Sequence, residues 1–174
     1  MKMLEEFKCN IINKLKKIHN ISQNTNRMER LYKSDEYKDI IRRSNQIVDA
    51  LTIMAKNHIK INFPRDPDIN CYFETDPYQK RPIGSITYSY MKSIYNEISK
   101  SDEHEFYTII ISNHEIRYKY TYGYSYLDLD LISDTQEDYE RMLIALRSYT
   151  QNFDRIEELF WNSAKTFLDE IESK

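Results

Sequence analysis

Tyr118, Tyr120, Tyr122, Tyr124 and Tyr126 recur at every second position, with Gly123 between the third and fourth. Alternation of period two puts side chains on opposite faces of a strand, so this stretch specifies a sheet. Gly-X is a favoured two-residue hairpin loop, because glycine accepts positive φ at the first central position. With Gly123-Tyr124 as that loop, Tyr120 faces Leu127, Tyr118 faces Leu129 and Ile116 faces Leu131. On the other side of the ribbon Lys119 faces Asp128 and Arg117 faces Asp130. A slip of one residue would set every leucine against a charge. A second two-residue loop at Asn113-His114 places Ile111 opposite Ile116, Ile109 opposite Tyr118 and Tyr107 opposite Tyr120. Both loops select the same apolar face, so a three-stranded antiparallel meander is expected at about 105–112, 115–122 and 125–132.

Helical periodicity dominates both ends. Met3, Leu4, Phe7, Ile11, Ile12, Leu15 and Ile18 follow the i, i+3, i+4, i+7 rule, predicting an amphipathic helix over 3–18. The polar, Asn-rich residues 19–33 read as a loop, and Ser34 as the N-cap of a second helix reaching about residue 59. All four prolines and Gly84 fall between 64 and 84, with a short edge strand at 69–74 inside that window. Ser85 then reads as the cap of a third helix carrying Ile86, Tyr90, Met91, Ile94 and Ile98, to about Lys100. Ser133 and Gln136 resemble a capping box. The residues after it lack Gly and Pro, and Tyr139, Leu146, Phe153, Phe160 and Phe167 stand seven apart, predicting one long helix. The expected architecture is a single α+β domain over 1–174 in the order ααβαβββα. It is a two-layer sandwich in which a three- to four-stranded antiparallel meander packs against the long C-terminal helix and the N-terminal helices.

Composition narrows the functional classes. No run of about 18 apolar residues is present, and polar residues interrupt the N-terminal segment where a secretory leader would be apolar, so a cytoplasmic protein without membrane partners is expected. Ile, Lys, Asn and Tyr are abundant and all use A/T-rich codons, which suits a viral or phage genome. Two glycines cannot build a Walker or Rossmann phosphate turn. Cys9 and Cys71 read as buried thiols. The four histidines, His19, His58, His104 and His114, lack metal-ligand spacing and read as surface or turn residues. No cofactor or metal site is expected, and an enzyme is disfavoured.

Three surfaces remain as candidates. The first is for another protein, a second copy of the chain included. It comprises the outer sheet face with Phe106, Tyr126, Arg117 and Lys119, and the end of the last helix with Phe160, Trp161 and Phe167; aromatic residues and arginine are typical of interface centres. The second is for nucleic acid. Residues 1–100 carry 18 Lys and Arg against 12 Asp and Glu, whereas residues 101–174 carry 7 against 16. Lys14, Lys16, Lys17, Arg27, Arg30, Arg42 and Arg43 lie in that basic half, where they could track a phosphate backbone. The competing explanation is that the two halves pack on each other. The third is Asp128 and Asp130, two apart on one strand face as a metal-dependent enzyme would need, although the hairpin register supplies Lys119 and Arg117 as their partners. The expected function is that of a non-catalytic binding or regulatory protein acting through protein–protein contacts.

Overall fold

In a computed structural model, residues 2–76, 83–123, 129–130 and 135–174 are described, with only the backbone of Lys2, Leu129 and Asp130. Helix α1 (Lys2–Tyr32) and helix α2 (Lys38–Lys56) precede five strands, and helix α3 (Gln136–Glu172) follows them. The strands are β1 (Asn70–Glu74), β2 (Ser85–Asn96), β3 (Ser101–Ser112), β4 (Glu115–Tyr122) and β5 (Leu129–Asp130). They form one antiparallel sheet in the order β1-β2-β3-β4-β5. The fold is α+β, a meander packed against the C-terminal helix.

The β3–β4 register is the one the two turns imply: Ile111 pairs with Ile116, Ile109 with Tyr118 and Tyr107 with Tyr120. Asn113 and His114 both hold positive φ, 45° and 62°, as a two-residue turn matching the strand twist requires. The β4–β5 register differs. Lys119 pairs with Asp130 and Tyr120 with Leu129, two residues along from the expected Lys119–Asp128 and Tyr120–Leu127. A shift of two leaves every side chain on its original face, so the alternation fits either register. Tyr124 of the expected loop, Tyr126 and Asp128 lie outside the described residues.

Residues 85–96 are strand, where a third helix was expected. Ile86, Tyr90 and Ile94 satisfy a helical spacing, but Ile86, Tyr88 and Tyr90 also alternate. The pairing decides between them: Ile86 meets Ile111, Tyr88 meets Ile109 and Tyr90 meets Tyr107. β-branched and aromatic residues suit this half-buried pleated surface. The edge strand appears as expected, as β1.

Residues 19–33 continue α1 and do not form a loop. Nothing in the stretch breaks a helix, and its apolar positions keep the period: Met28 is buried, Leu31 and Tyr32 half-buried against the core. Asn24 donates from Nδ2 to the Thr135 carbonyl at 3.1 Å. Ser34 closes α1 and does not cap α2, its Oγ donating to the Leu31 carbonyl at 2.6 Å. Tyr37 stands at the α2 N-cap. For α3 the N-cap is Thr135, whose Oγ1 accepts from the Asp138 N–H; Ser133 lies outside the described residues.

One face of the sheet carries Ile86, Tyr88, Tyr107, Ile109, Ile111, Tyr118 and Tyr120 into a core shared with all three helices. From α2 come Ile47, Val48 and Leu51; from α3 come Leu146, Tyr149, Phe153, Ile156 and Phe160. Three hydroxyl pairs link the sheet and helices within this core. Tyr149 shares a hydrogen bond with Ser44 at 2.7 Å, Tyr32 with Tyr118 at 2.6 Å, and Tyr88 with Ser148 at 2.6 Å.

Candidate interaction surfaces

α1 touches this core only through its last turns. Asn24, Met28, Leu31 and Tyr32 anchor it, and Arg27 donates to Gln136 Oε1 at 2.8 Å with its guanidinium 5.1 Å from the Tyr139 ring centre. The preceding turns project from the fold. Met3, Leu4, Phe7, Ile11, Ile12, Leu15 and Ile18 are all exposed, by 43 to 83 %. The stripe predicted from periodicity is present, and it faces outward. A helix that buries its apolar face is normally stabilised by that burial; this one displays it.

The far end of α3 forms a second surface. Phe160, expected to reach a partner, is instead core: it is fully buried, with its ring centre 5.6 Å from Phe63 and 5.3 Å from Phe73. Trp161 packs edge-on against it at 4.8 Å yet stays 42 % exposed. Beyond them Leu168 and Ile171 are exposed. Phe167 helps line a groove of about 750 Å³ between residues 60–66 and the last turns of α3, together with Lys60, Pro64, Arg155 and Leu159. Arg155, in the groove's lining, reaches Asp66 at 2.6 Å.

The outer sheet face is only partly available. Ser85, Thr87, Thr108, Ile110 and Ser112 on that face are buried, while Phe106 and Lys119 are half-buried and Arg117 is exposed. Lys119 lies opposite Asp130 in the ladder, a different residue pair from the one expected. Among the described residues no group of three His, Cys, Asp and Glu side chains is gathered as a metal site.

The basic residues are dispersed. Arg43 turns inward and joins α2 to α3: its Nη2 and Nε reach Glu157 at 2.5 and 2.9 Å, Nη2 reaches Asp154 at 3.2 Å, and the guanidinium stacks 4.9 Å from the Phe153 ring. The Glu157 carboxylate raises the Arg43 pKa further still. Arg42 pairs with Asp39 at 2.8 Å. Arg43 and Arg27 thus connect the basic N-terminal elements to α3, as packing of the two halves requires. Lys14, Lys16 and Lys17 are exposed on the projecting part of α1, and Arg30 is exposed near its end.

Two features were not read from the sequence. Glu105 accepts hydrogen bonds from Tyr107 at 2.8 Å and Tyr120 at 2.6 Å, and the Arg141 guanidinium sits 4.0 Å from the Tyr120 ring centre. Burial first, then the adjacent Glu105 carboxylate, pushes both phenols up, Tyr120 to about 12. These phenols stay protonated and act as donors. The second feature is the β2–β3 hairpin. Among the described residues β1 covers β2 only from Ser85 to Ser89, and β4 covers β3 only from Glu105 to Ser112. The remainder runs on as a two-stranded ribbon with exposed Tyr90, Met91 and Tyr95, and with Ile98 96 % exposed at its tip. The expected helix at 85–100 concealed this ribbon.

Cys9 is exposed, against the expectation of a buried thiol, and Cys71 is half-buried; both are free. No helix among the described residues is long and apolar enough to cross a membrane. No protein-family model, no curated protein and no solved structure matches this chain.

Proposed function

We propose that this chain is a non-catalytic binding protein, regulatory in role, that docks on another protein through the projecting turns of α1. The observation that carries this reading is the outward stripe from Met3 to Ile18. A contiguous exposed apolar patch of several hundred Å² on a folded chain marks an interaction site. Trp161, Leu168 and Ile171 offer a second, smaller contact at the far end of α3. Lys14, Lys16 and Lys17 on the same arm favour a second reading, in which the helix lies along nucleic acid.

Affinity capture from an extract of the native host separates the two. The full chain and a Phe7→Glu, Ile11→Glu, Leu15→Glu variant serve as baits, each with and without nuclease. A protein held through nuclease treatment by the parent, and lost with the variant, supports the first reading. Material released by nuclease supports the second. Baits that hold the same proteins equally defeat the role given to α1.

A further inference from the structure

A second site, independent of the α1 stripe, lies along residues 60–66. We infer that the groove there takes an extended basic peptide, which pairs with the segment 60–65 as an added strand and rests its side chains on α3.

The segment alternates. Ile59, Ile61 and Phe63 are half-buried, whereas Lys60, Asn62 and Pro64 are exposed, the period of an extended chain. Asp66 meets Arg155 at 2.6 Å, and the Phe63 ring centre lies 5.6 Å from that of Phe160. The segment therefore runs antiparallel to α3, with Lys60 toward Phe167. The two walls of the groove match in length. Six steps of extended chain from Lys60 to Asp66 span about 20 Å, and fifteen steps of helix from Arg155 to Glu170 span about 22 Å.

This segment belongs to no sheet. Among the described residues no backbone N–H or carbonyl from Lys60 to Arg65 finds a hydrogen-bond partner. Such an edge is a template for an added strand. Strand addition draws affinity from main-chain bonds and specificity from alternate side chains. Pro64 withholds one N–H, which an edge strand permits.

The α3 wall sets the side chains. Leu159 and Phe167 are half-buried and stand eight residues, about 12 Å, apart along the helix. Residues four apart on one face of a strand are separated by about 13 Å. Two apolar residues at that spacing meet Leu159 and Phe167, with a small polar residue midway, level with Ser163. Charge sets the ends. Asp66, Glu158 and Glu170 line the groove against Lys60 and Arg155, three negative charges against two positive. Arg155 is already held by Asp66. Glu158 and Glu170 lie toward opposite ends of the helical wall, so the peptide carries Lys or Arg at its two ends.

Fluorescence anisotropy of labelled peptides against the full chain tests this. The probe is Lys-Val-Thr-Ser-Thr-Val-Lys, blocked at both ends, with Leu and Phe versions at the two Val positions. One control has Glu at both ends. Two others carry N-methyl groups on one or the other set of alternate amides, which removes main-chain donors and keeps every side chain. Lys-ended probes should bind saturably, and one N-methyl set should weaken binding by about tenfold or more, the effect of losing main-chain hydrogen bonds. Glu158→Lys with Glu170→Lys, both at exposed positions, should reverse the preference in favour of the Glu-ended peptide. Amides of residues 60–65 should exchange more slowly in the complex. The proposal is overturned if no Lys-ended probe saturates, if both N-methyl sets bind as well as the parent peptide, or if charge reversal leaves the preference unchanged. The chain carrying Phe7→Glu, Ile11→Glu and Leu15→Glu should bind the probe as the parent does. Loss of binding there places the peptide on α1 and overturns the groove.

Discussion

Thr52 lies against the α-carbon of Gly84, so that a methyl group there would stand 2.5 Å from the threonine Oγ1 and 3.1 Å from its Cα. Gly84 leads into β2, donates its N–H to the Glu74 carbonyl at 2.8 Å and holds φ at +67°. Backbone conformation and close approach to α2 both call for glycine. Gly84→Ala should cost about 1–3 kcal/mol of stability in urea unfolding, the range for residues forced into sparsely populated backbone regions. Gly123 has a similar φ, +69°, with no atom of the described residues within 4 Å of the added carbon, so Gly123→Ala should cost less. The reverse order would refute the close approach of α2 to Gly84.

Arg43 and Glu157 should be energetically coupled. Their contact is two-pronged and three-quarters shielded from water, which puts it near the upper end for surface pairs, about 1 kcal/mol in a double-mutant cycle. Arg43→Lys should lose most of that coupling, because an ammonium cannot reproduce the fork. If Arg43→Ala instead weakens nucleic-acid binding and leaves stability untouched, the residue belongs to the phosphate-tracking reading.

Stability should fall at alkaline pH. A folded-state pKa above the ordinary phenol value means that the native state holds its proton where the unfolded state has released it. The contribution is complete below pH 10 and is lost as pH rises through the folded value. For Tyr120 that window is pH 10 to about 12, and burial moves Tyr107, Tyr118 and Tyr149 the same way. Absorbance titration of phenolate should therefore rise late and together with unfolding. Glu105→Gln removes the secondary cause for Tyr107 and Tyr120 and leaves burial in place, so it should narrow the window without closing it. Phenols that ionise near pH 10 in the folded chain would contradict the burial described.

The two thiols should differ in reactivity. Burial pushes the Cys71 thiol up to about 12, so almost none is thiolate at neutral pH, and the thiolate is the nucleophile. Cys9 is exposed on the projecting turns of α1. One thiol should label quickly in the native protein and the second only after denaturation. Two equally fast thiols would show that β1 does not stay docked.

Some elements were legible because their causes are local. Asn113-His114 and the alternation on both sides of it defined β3 and β4, and the seven-residue seam from Tyr139 to Phe167 defined α3. Where the cause is remote, sequence was ambiguous. Ile86, Tyr90 and Ile94 fit helix and strand alike until β3 supplies partners. The asparagines after His19 suggested a loop by propensity, yet Met28, Tyr32 and the Thr135 carbonyl hold that stretch helical. The register expected between β4 and β5 was off by two, because both alternatives present the same faces. The direction in which α1 shows its stripe was not legible at all, since the same period serves a core or a partner.

Among the described residues no third strand pairs with the ribbon beyond Ser89 and Glu105, and only the Gly123 N–H reaches it, at the His104 carbonyl. Its order is borrowed from the sheet at its base, so its amides should exchange with solvent in a gradient that steepens toward Ile98. A finger of that kind tolerates lengthening or grafting at its tip, where Ile98 stands almost wholly in solvent.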